Sequence, residues 1–334
     1  MWVATLKDIA DIVGVSTGAV SRVLNGDQSL SVAPETRAAI LAAAADLKYS
    51  TPRARKMKLG ATADAGPSRR ITVVLADWVH KKGEDPYYAG LRLGIERRCF
   101  QLGIDLATVQ EFEPRAVLGA RDGAIFVGQP AQEPSWEHFH INRVVFAGWA
   151  PVDGEFDCVS HDLHGAMTAL LNQLWTRGYR RIAFLGGSSA PARLEGTEGR
   201  QEAYFAWSKA KDCFDPDLVR LAGISADQGY AMTRELLQID PRPDAIIAST
   251  DSMAIGTYKA LRDAKLRVGK DVAVIGFNDD PASEFLAPPL TSVKLSPEEV
   301  GVTAVDLLLE RQEGRSVAKS VILRTPISWR DSTR

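Results

Sequence analysis

The chain has 334 residues, 45% hydrophobic and 25% charged, with a formal net charge of −2. That balance fits two or three packed domains and excludes a disordered chain; three cysteines (Cys99, Cys158, Cys213) exclude a disulfide-dense scaffold, and no apolar run reaches the ~20 residues of a membrane helix. Charge is unevenly spread: residues 1–70 hold ten Lys or Arg against six Asp or Glu, and the rest hold 30 against 36, a basic head on an acidic body.

Leu6, Ile9, Ala10 and Val13 recur at helical spacing and give a short first helix one apolar stripe, with Thr5 placed to cap it. Gly14 stands where the chain must turn, Val15 plugs the corner, and Ser16 can cap a second helix whose Ala19, Val20 and Val23 face inward. Thr17, Gly18, Ser21, Arg22 and Asn25 then point outward. Hydroxyls and an amide suit phosphates, and Arg22 suits base edges, if that helix lies in a DNA major groove; the same pattern also describes a two-helix corner with a solvated face. Pro34 suits the first position of a third helix whose Ile40, Leu41, Ala44 and Leu47 form its core side. Arg53, Arg55, Lys56 and Lys58 crowd the stretch before G-A-T-A-D-A-G-P-S, a basic linker by composition.

From Ile71 the pattern changes to buried strands alternating with amphipathic helices: I-T-V-V-L-A, a helix near 87–102, D-L-A-T-V, G-A-I-F-V and R-V-V-F-A. A second series follows, with helices near 162–177, 197–211, 226–238 and 251–263 between R-R-I-A-F-L, D-L-V-R-L, D-A-I-I-A-S and V-A-V-I-G-F. Two such series predict two doubly wound parallel sheets that bind ligand across the carboxyl ends of their strands. Crossings between them are expected near 157–162, 291–296 and 319–322, with V-I-L-R and I-S-W returning to the second subdomain.

Cleft chemistry must then come from loops after strands. Asp77, Trp78 and the Asp85-Pro86-Tyr87-Tyr88 turn follow the first strand, Trp149 the fourth; Arg200 opens a helix after G-G-S-S, Asp251 follows A-S-T, and Asn278 to Asp280 follow V-I-G-F. Carboxylates, an amide and an Arg beside aromatic rings make a sugar-binding inventory. The alternatives are half-buried tyrosines at a helix start, Trp149 in a core or interface, Arg200 in a surface ion pair, and Asp251 as a helix cap.

T-L-K-D-I-A, G-V-S, V-S-R-V-L-N, E-T-R and L-K-Y together resemble the LacI/GalR family of bacterial transcription regulators at the family's own spacing. The resemblance implies a small all-α helix-turn-helix head over 1–50, a hinge helix and linker over 51–70, and a type I periplasmic-binding-protein-like core over 71–334. Its first subdomain would span about 71–160 and 295–320, its second about 161–294 and 321–334. It implies a DNA-facing set of Thr5, Leu6, Ser16, Thr17, Gly18, Ser21, Arg22, Asn25, Arg53, Ala54 and Met57, with Met57 as a minor-groove wedge where the family has Leu. It implies a ligand set of Asp77, Trp78, Tyr88, Trp149, Arg200, Ile224, Asp251 and Asn278, in which Ile224 replaces a stacking aromatic and Asn278 replaces Asp. Within the family, A-R-K-M, D-P-Y-Y-A-G-L-R-L-G-I-E, T-D-S-M-A-I-G and W-R-D-S-T-R are similar to the evolved-beta-galactosidase repressor subgroup, which implies a galactoside-type inducer.

The expected activity is therefore a cytoplasmic, nucleoid-associated homodimeric repressor of a sugar operon, bound to palindromic operator DNA and released by sugar, with no enzymatic activity, cofactor or metal. L-G-G-S-S lacks the P-loop Lys, the His161/His164 and His138/His140 pairs lack further ligands, and no G-x-S-x-G elbow occurs. The alternative is a sugar-binding or sugar-transforming protein with a vestigial DNA head.

Overall fold

A computed structural model describes residues 6–24, 33, 36–37, 39–40, 43–44, 70–76, 86–109, 123–128, 143–149, 155–187 and 199–334. They fall into two compact units, Met1–Ser68 and Arg69–Arg334.

In the first unit, α1 (Leu6–Val13) and α2 (Thr17–Leu24) bury Ile9, Ala10, Val20 and Val23 together with Ile40, Ala43 and Ala44, and Leu6, Val13 and Val15 pack at the margin. Gly14 makes the turn at φ +71, where a side chain would be strained, and its amide closes α1 onto the Ala10 carbonyl at 2.9 Å. Ser16 Oγ accepts the Ala19 amide at 3.2 Å and so caps α2.

The second unit holds two six-stranded sheets. In the first, β1 (Arg70–Leu75), β2 (Asp105–Val109), β3 (Gly123–Val127), β4 (Val144–Ala147), β5 (Asp157–His161) and β11 (Ser320–Leu323) run in the order β11-β5-β4-β3-β1-β2, all parallel. The second is built from β6 (Ile182–Gly187), β7 (Val219–Ala222), β8 (Ala245–Ala248), β9 (Ala273–Asn278), β10 (Thr291–Lys294) and β12 (Ile327–Ser328) in the order β12-β10-β9-β8-β6-β7, where β12 alone is antiparallel. β3, β4 and β8 are buried along their whole length, as strands covered on both faces must be. The covering helices are α3 (Pro86–Leu102), α4 (Leu163–Thr176), α5 (Gly199–Ala210), α6 (Ala226–Leu236), α7 (Asp251–Asp263) and α8 (Pro297–Gln312). No helix among the described residues is long and apolar enough to cross a membrane.

One expectation is corrected. V-I-L-R does not return to the second subdomain: β11 pairs with β5 of the first sheet, Val321 opposite Val159, and only β12 goes back. The third crossing is therefore at 324–326, after Leu323.

Each subdomain is stiffened by the same kind of helix joint. A Cβ at Gly94 of α3 would strike the Glu298 carbonyl and one at Gly301 of α8 the Leu91 carbonyl; in the other subdomain Gly229 of α6 faces the Met253 carbonyl and Gly256 of α7 the Ala226 carbonyl. Backbones touch directly at both crossings. Gly256→Ala should therefore lower stability by about 1–3 kcal/mol, because overpacking there pushes against main chain rather than a movable side chain. Urea unfolding of variant and parent reads the loss, and superimposable curves would mean that α6 and α7 separate without cost.

Candidate functional site

The three crossings leave from the carboxyl ends of β5, β10 and β11, so the two sheets present those ends to a common seam. The crossings are tied to one another. The Asp162 amide donates to the Leu323 carbonyl at 3.1 Å, the Lys294 amide to the Pro326 carbonyl at 2.8 Å, and the Ser296 amide to His161 Nε2 at 2.9 Å. Ligands of parallel sheets bind at such edges because loops and helix N-termini converge there.

Arg200, in the first turn of α5, is half-buried and reaches the ends of two neighbouring strands. Its Nη1 donates to the Ser249 carbonyl, just past β8, at 2.5 Å, and its guanidinium carbon stands 5.5 Å from the centre of the Phe277 ring on β9. It makes no ion pair among the described residues. Nε is buried and has no hydrogen-bond partner among those residues. A buried N–H without an acceptor costs roughly 1–3 kcal/mol, which an incoming oxygen would recover.

Asn278 closes β9 with φ +111, and Asp279 follows at φ +58, both outside the region that side chains favour. This bend is held from two directions. Asp279 takes Arg330 Nη1 at 2.6 Å and Ser328 Oγ at 2.8 Å on its carboxylate, while its amide donates to Ser292 Oγ at 3.0 Å. Asp251 takes the Asp280 amide at 2.7 Å, Ser283 Oγ at 2.8 Å and Ser292 Oγ at 2.7 Å. Burial pushes the Asp251 carboxyl up to about 6 against these three stabilising donors.

Asp251 is thus corrected on two counts. It is 1% exposed with its carboxylate committed to the 280–292 loop, so it holds that loop rather than reaching a ligand. Nor is it the helix cap: Thr250 is, accepting the Met253 amide at 3.2 Å, and Asp251 is the first helical residue. Thr250 also donates to the carbonyl of half-buried Ile224 at 3.3 Å, which brings Ile224 to the same strand end.

On the first subdomain, Tyr88 is half-buried against the core, edge-on to Tyr87 at 5.0 Å. Trp149 is a second correction. It is 4% exposed and packs edge-on to Phe146 at 4.8 Å within a cluster of Val74, Phe126 and Phe156, which occupies the ring a sugar would need. In the head, Ser16, Thr17, Gly18 and Arg22 are exposed and Ser21 is half-buried, whereas Leu6 serves the head's own core. Thr5, Asn25, Arg53, Ala54, Met57, Asp77 and Trp78 lie outside the described residues. Sequence reasoning passed over Phe277, Ser249 and the Tyr87–His161 pair. Their signal was position alone, at strand ends or the helix start facing the seam.

Residues 5–52 match the model of bacterial regulatory proteins of the lacI family, and residues 171–333 match that of a periplasmic binding protein-like domain. The transcriptional repressor MelR of Bacillus subtilis (strain 168) is 33% identical over 98% of this chain and 96% of its own. This chain belongs to the lacI family of bacterial regulatory proteins. The ribose operon repressor of Escherichia coli (strain K12) is 32% identical over 97% of this chain and 98% of its own. Among solved structures, the regulator CelR in complex with cellobiose superimposes with a TM-score of 0.65 at 26% identity, covering 98% of this chain and 99% of that one. The lac repressor bound to ONPG gives 0.68 at 24%, covering 99% and 100%, a likeness of fold. Membership in the lacI family gives the exposed α2 face and the seam a common context: a DNA reader joined to a hinged binding core.

Proposed function

We propose that this lacI-family chain is a DNA-binding transcriptional repressor of a sugar-utilisation operon, paired as a homodimer on a palindromic operator and released when a small sugar enters the seam between its subdomains. The observation that carries the sugar site is Arg200, a guanidinium fixed by Ser249 and Phe277 whose Nε still lacks an acceptor among the described residues. Asn278, on its constrained bend, supplies the second polar group, and Tyr88 with Ile224 supplies apolar walls. Exposed apolar side chains support a homodimer: Leu93 and Phe100, seven residues apart on one face of α3, and Ile255 and Phe285 in the second subdomain. Within the sugar class, the evolved-beta-galactosidase repressor likeness favours a galactoside.

The test is fluorescence anisotropy of the full chain on a labelled pool of palindromes with a central CG step, followed by galactose, lactose, melibiose, ribose, cellobiose and sucrose. Release by one sugar supports the whole reading, and release by galactose, lactose or melibiose supports its galactoside form. Binding indifferent to every sugar overturns the pocket, and failure to bind any palindrome specifically returns the chain to a sugar-binding protein with an idle head.

Arg22 is exposed on α2, and the base-reading role falls to it in this proposal. Arg22→Ala should weaken specific binding by roughly 1–3 kcal/mol and leave binding to random DNA nearly as it was. Equal losses on both duplexes would make Arg22 a phosphate contact instead.

A further inference from the structure

Tyr87 packs against the hydrophobic cores of both subdomains. It sits in the first turn of α3, and its hydroxyl lies over the ends of β4 and β5, 3.3 Å from His161 Nδ1. Gly148, at φ +86 just past β4, lies beside it: a Cβ there would stand 3.4 Å from that oxygen, at van der Waals contact. His161 is the last residue of β5, next to the first crossing, and is only 8% exposed. Its other nitrogen, Nε2, lies 2.9 Å from the amide of Ser296 in the second crossing. A backbone N–H can only donate, so Nε2 carries no proton. The imidazole proton therefore resides on Nδ1 and is donated to the Tyr87 oxygen.

We propose that Tyr87, His161 and the Ser296 amide form an acid-released latch, which ties the edge of the seam to two of the three crossings and gives way when His161 takes up a proton. An imidazolium has donors on both nitrogens, so Ser296 N–H would face another N–H and the bond must open. Burial holds His161 down at about 4 while the latch is made. Once it is broken and the ring hydrated, the group returns toward about 6.5. Between those values the broken form binds the extra proton, so acid favours it, by up to tenfold per pH unit. Among the described residues, the other titratable or charged groups next to the latch along the chain are Tyr88 on α3, Asp162 in the first crossing, His164 on α4, Lys294 and Glu298 on either side of Ser296, and Arg324 after β11. Asp162 is engaged in capping α4 through the Gly165 amide at 2.8 Å. The latch belongs to the hinged core and is independent of which DNA or sugar the chain binds.

Hydrogen exchange of the full chain, followed by mass spectrometry on peptides covering Ser296 and corrected for the intrinsic pH dependence of exchange, tests it without DNA or sugar. Protection in the parent should fall about tenfold from pH 7.5 to pH 5.5. His161→Gln, which keeps an acceptor but cannot titrate, should hold its protection across that range, and His161→Phe should lack it at every pH. Tyr87→Phe keeps the ring and removes the proton acceptor, so it should lose protection several-fold at pH 7.5. An equal pH response in the parent and His161→Gln, or full protection of Ser296 in His161→Phe or Tyr87→Phe, overturns the latch.

Discussion

Asp157→Ala should cost about 3–5 kcal/mol of folding stability, the loss expected when one partner of a buried ion pair is removed. Asp157 opens β5, is fully buried, and receives Arg315 Nη1 at 3.0 Å, Arg315 Nη2, and the Lys319 amide at 2.7 Å; Arg311 Nε stands 3.5 Å away as an ion-pair neighbour without a hydrogen bond. Arg311 is itself buried, its other nitrogens on the carbonyls of Ser316 at 2.6 Å and Glu155 at 3.0 Å. Without the carboxylate, two guanidinium groups remain, of which that of Arg311 is buried. Asp157→Asn retains the shape and one acceptor, so its loss should be smaller. Urea unfolding with a common slope measures both. If the Ala variant unfolded at the parent's midpoint, the cluster would be open to solvent and the ion pairs idle.

Arg200→Ala should weaken the response to sugar strongly while leaving operator affinity unchanged. Each hydrogen bond from a charged donor is worth about 1.5–3 kcal/mol, so the loss of even one raises the half-releasing sugar concentration ~10- to 100-fold. Arg200→Lys should fare little better. A lysine cannot hold the Ser249 carbonyl and present a second N–H in the same plane. The anisotropy assay that identifies the sugar reads this directly, and an unchanged half-releasing concentration would place Arg200 outside the binding site.

Much of this was legible in the sequence because local pattern and tertiary demand agree. Runs such as Ala245–Ala248 and Val144–Ala147 are apolar throughout, and only a strand covered on both faces needs that. The head was equally plain, since Gly14 and Ser16 are required by the turn and the cap whatever surrounds them. The misassigned strand shows where the signal ends. β11 alternates between exposed and half-buried positions, and only Arg324 to Pro326 separate it from β12, so nothing local says that the chain changes sheets between them. Trp149 and Asp251 fail for a related reason. Sequence places a ring or a carboxylate after a strand, but the direction it takes is decided by distant partners: Phe146 and Phe156 for the indole, Ser283 and Ser292 for the carboxylate. Arg200 is singled out by type and position alone; its orientation comes from Ser249 and Phe277, which no spacing rule connects to it.

The paired glycine joints of α3 with α8 and α6 with α7 also limit how the molecule can move. With main chain against main chain, neither helix pair can shear without prising its backbones apart, so each pair moves as one block. Relative motion then falls to a few backbone torsions around 162, 295–296 and 324–326. A saturation screen for variants that bind DNA and sugar yet fail to connect the two should therefore find them concentrated in those short segments. Substitutions within the helix pairs should register as loss of protein.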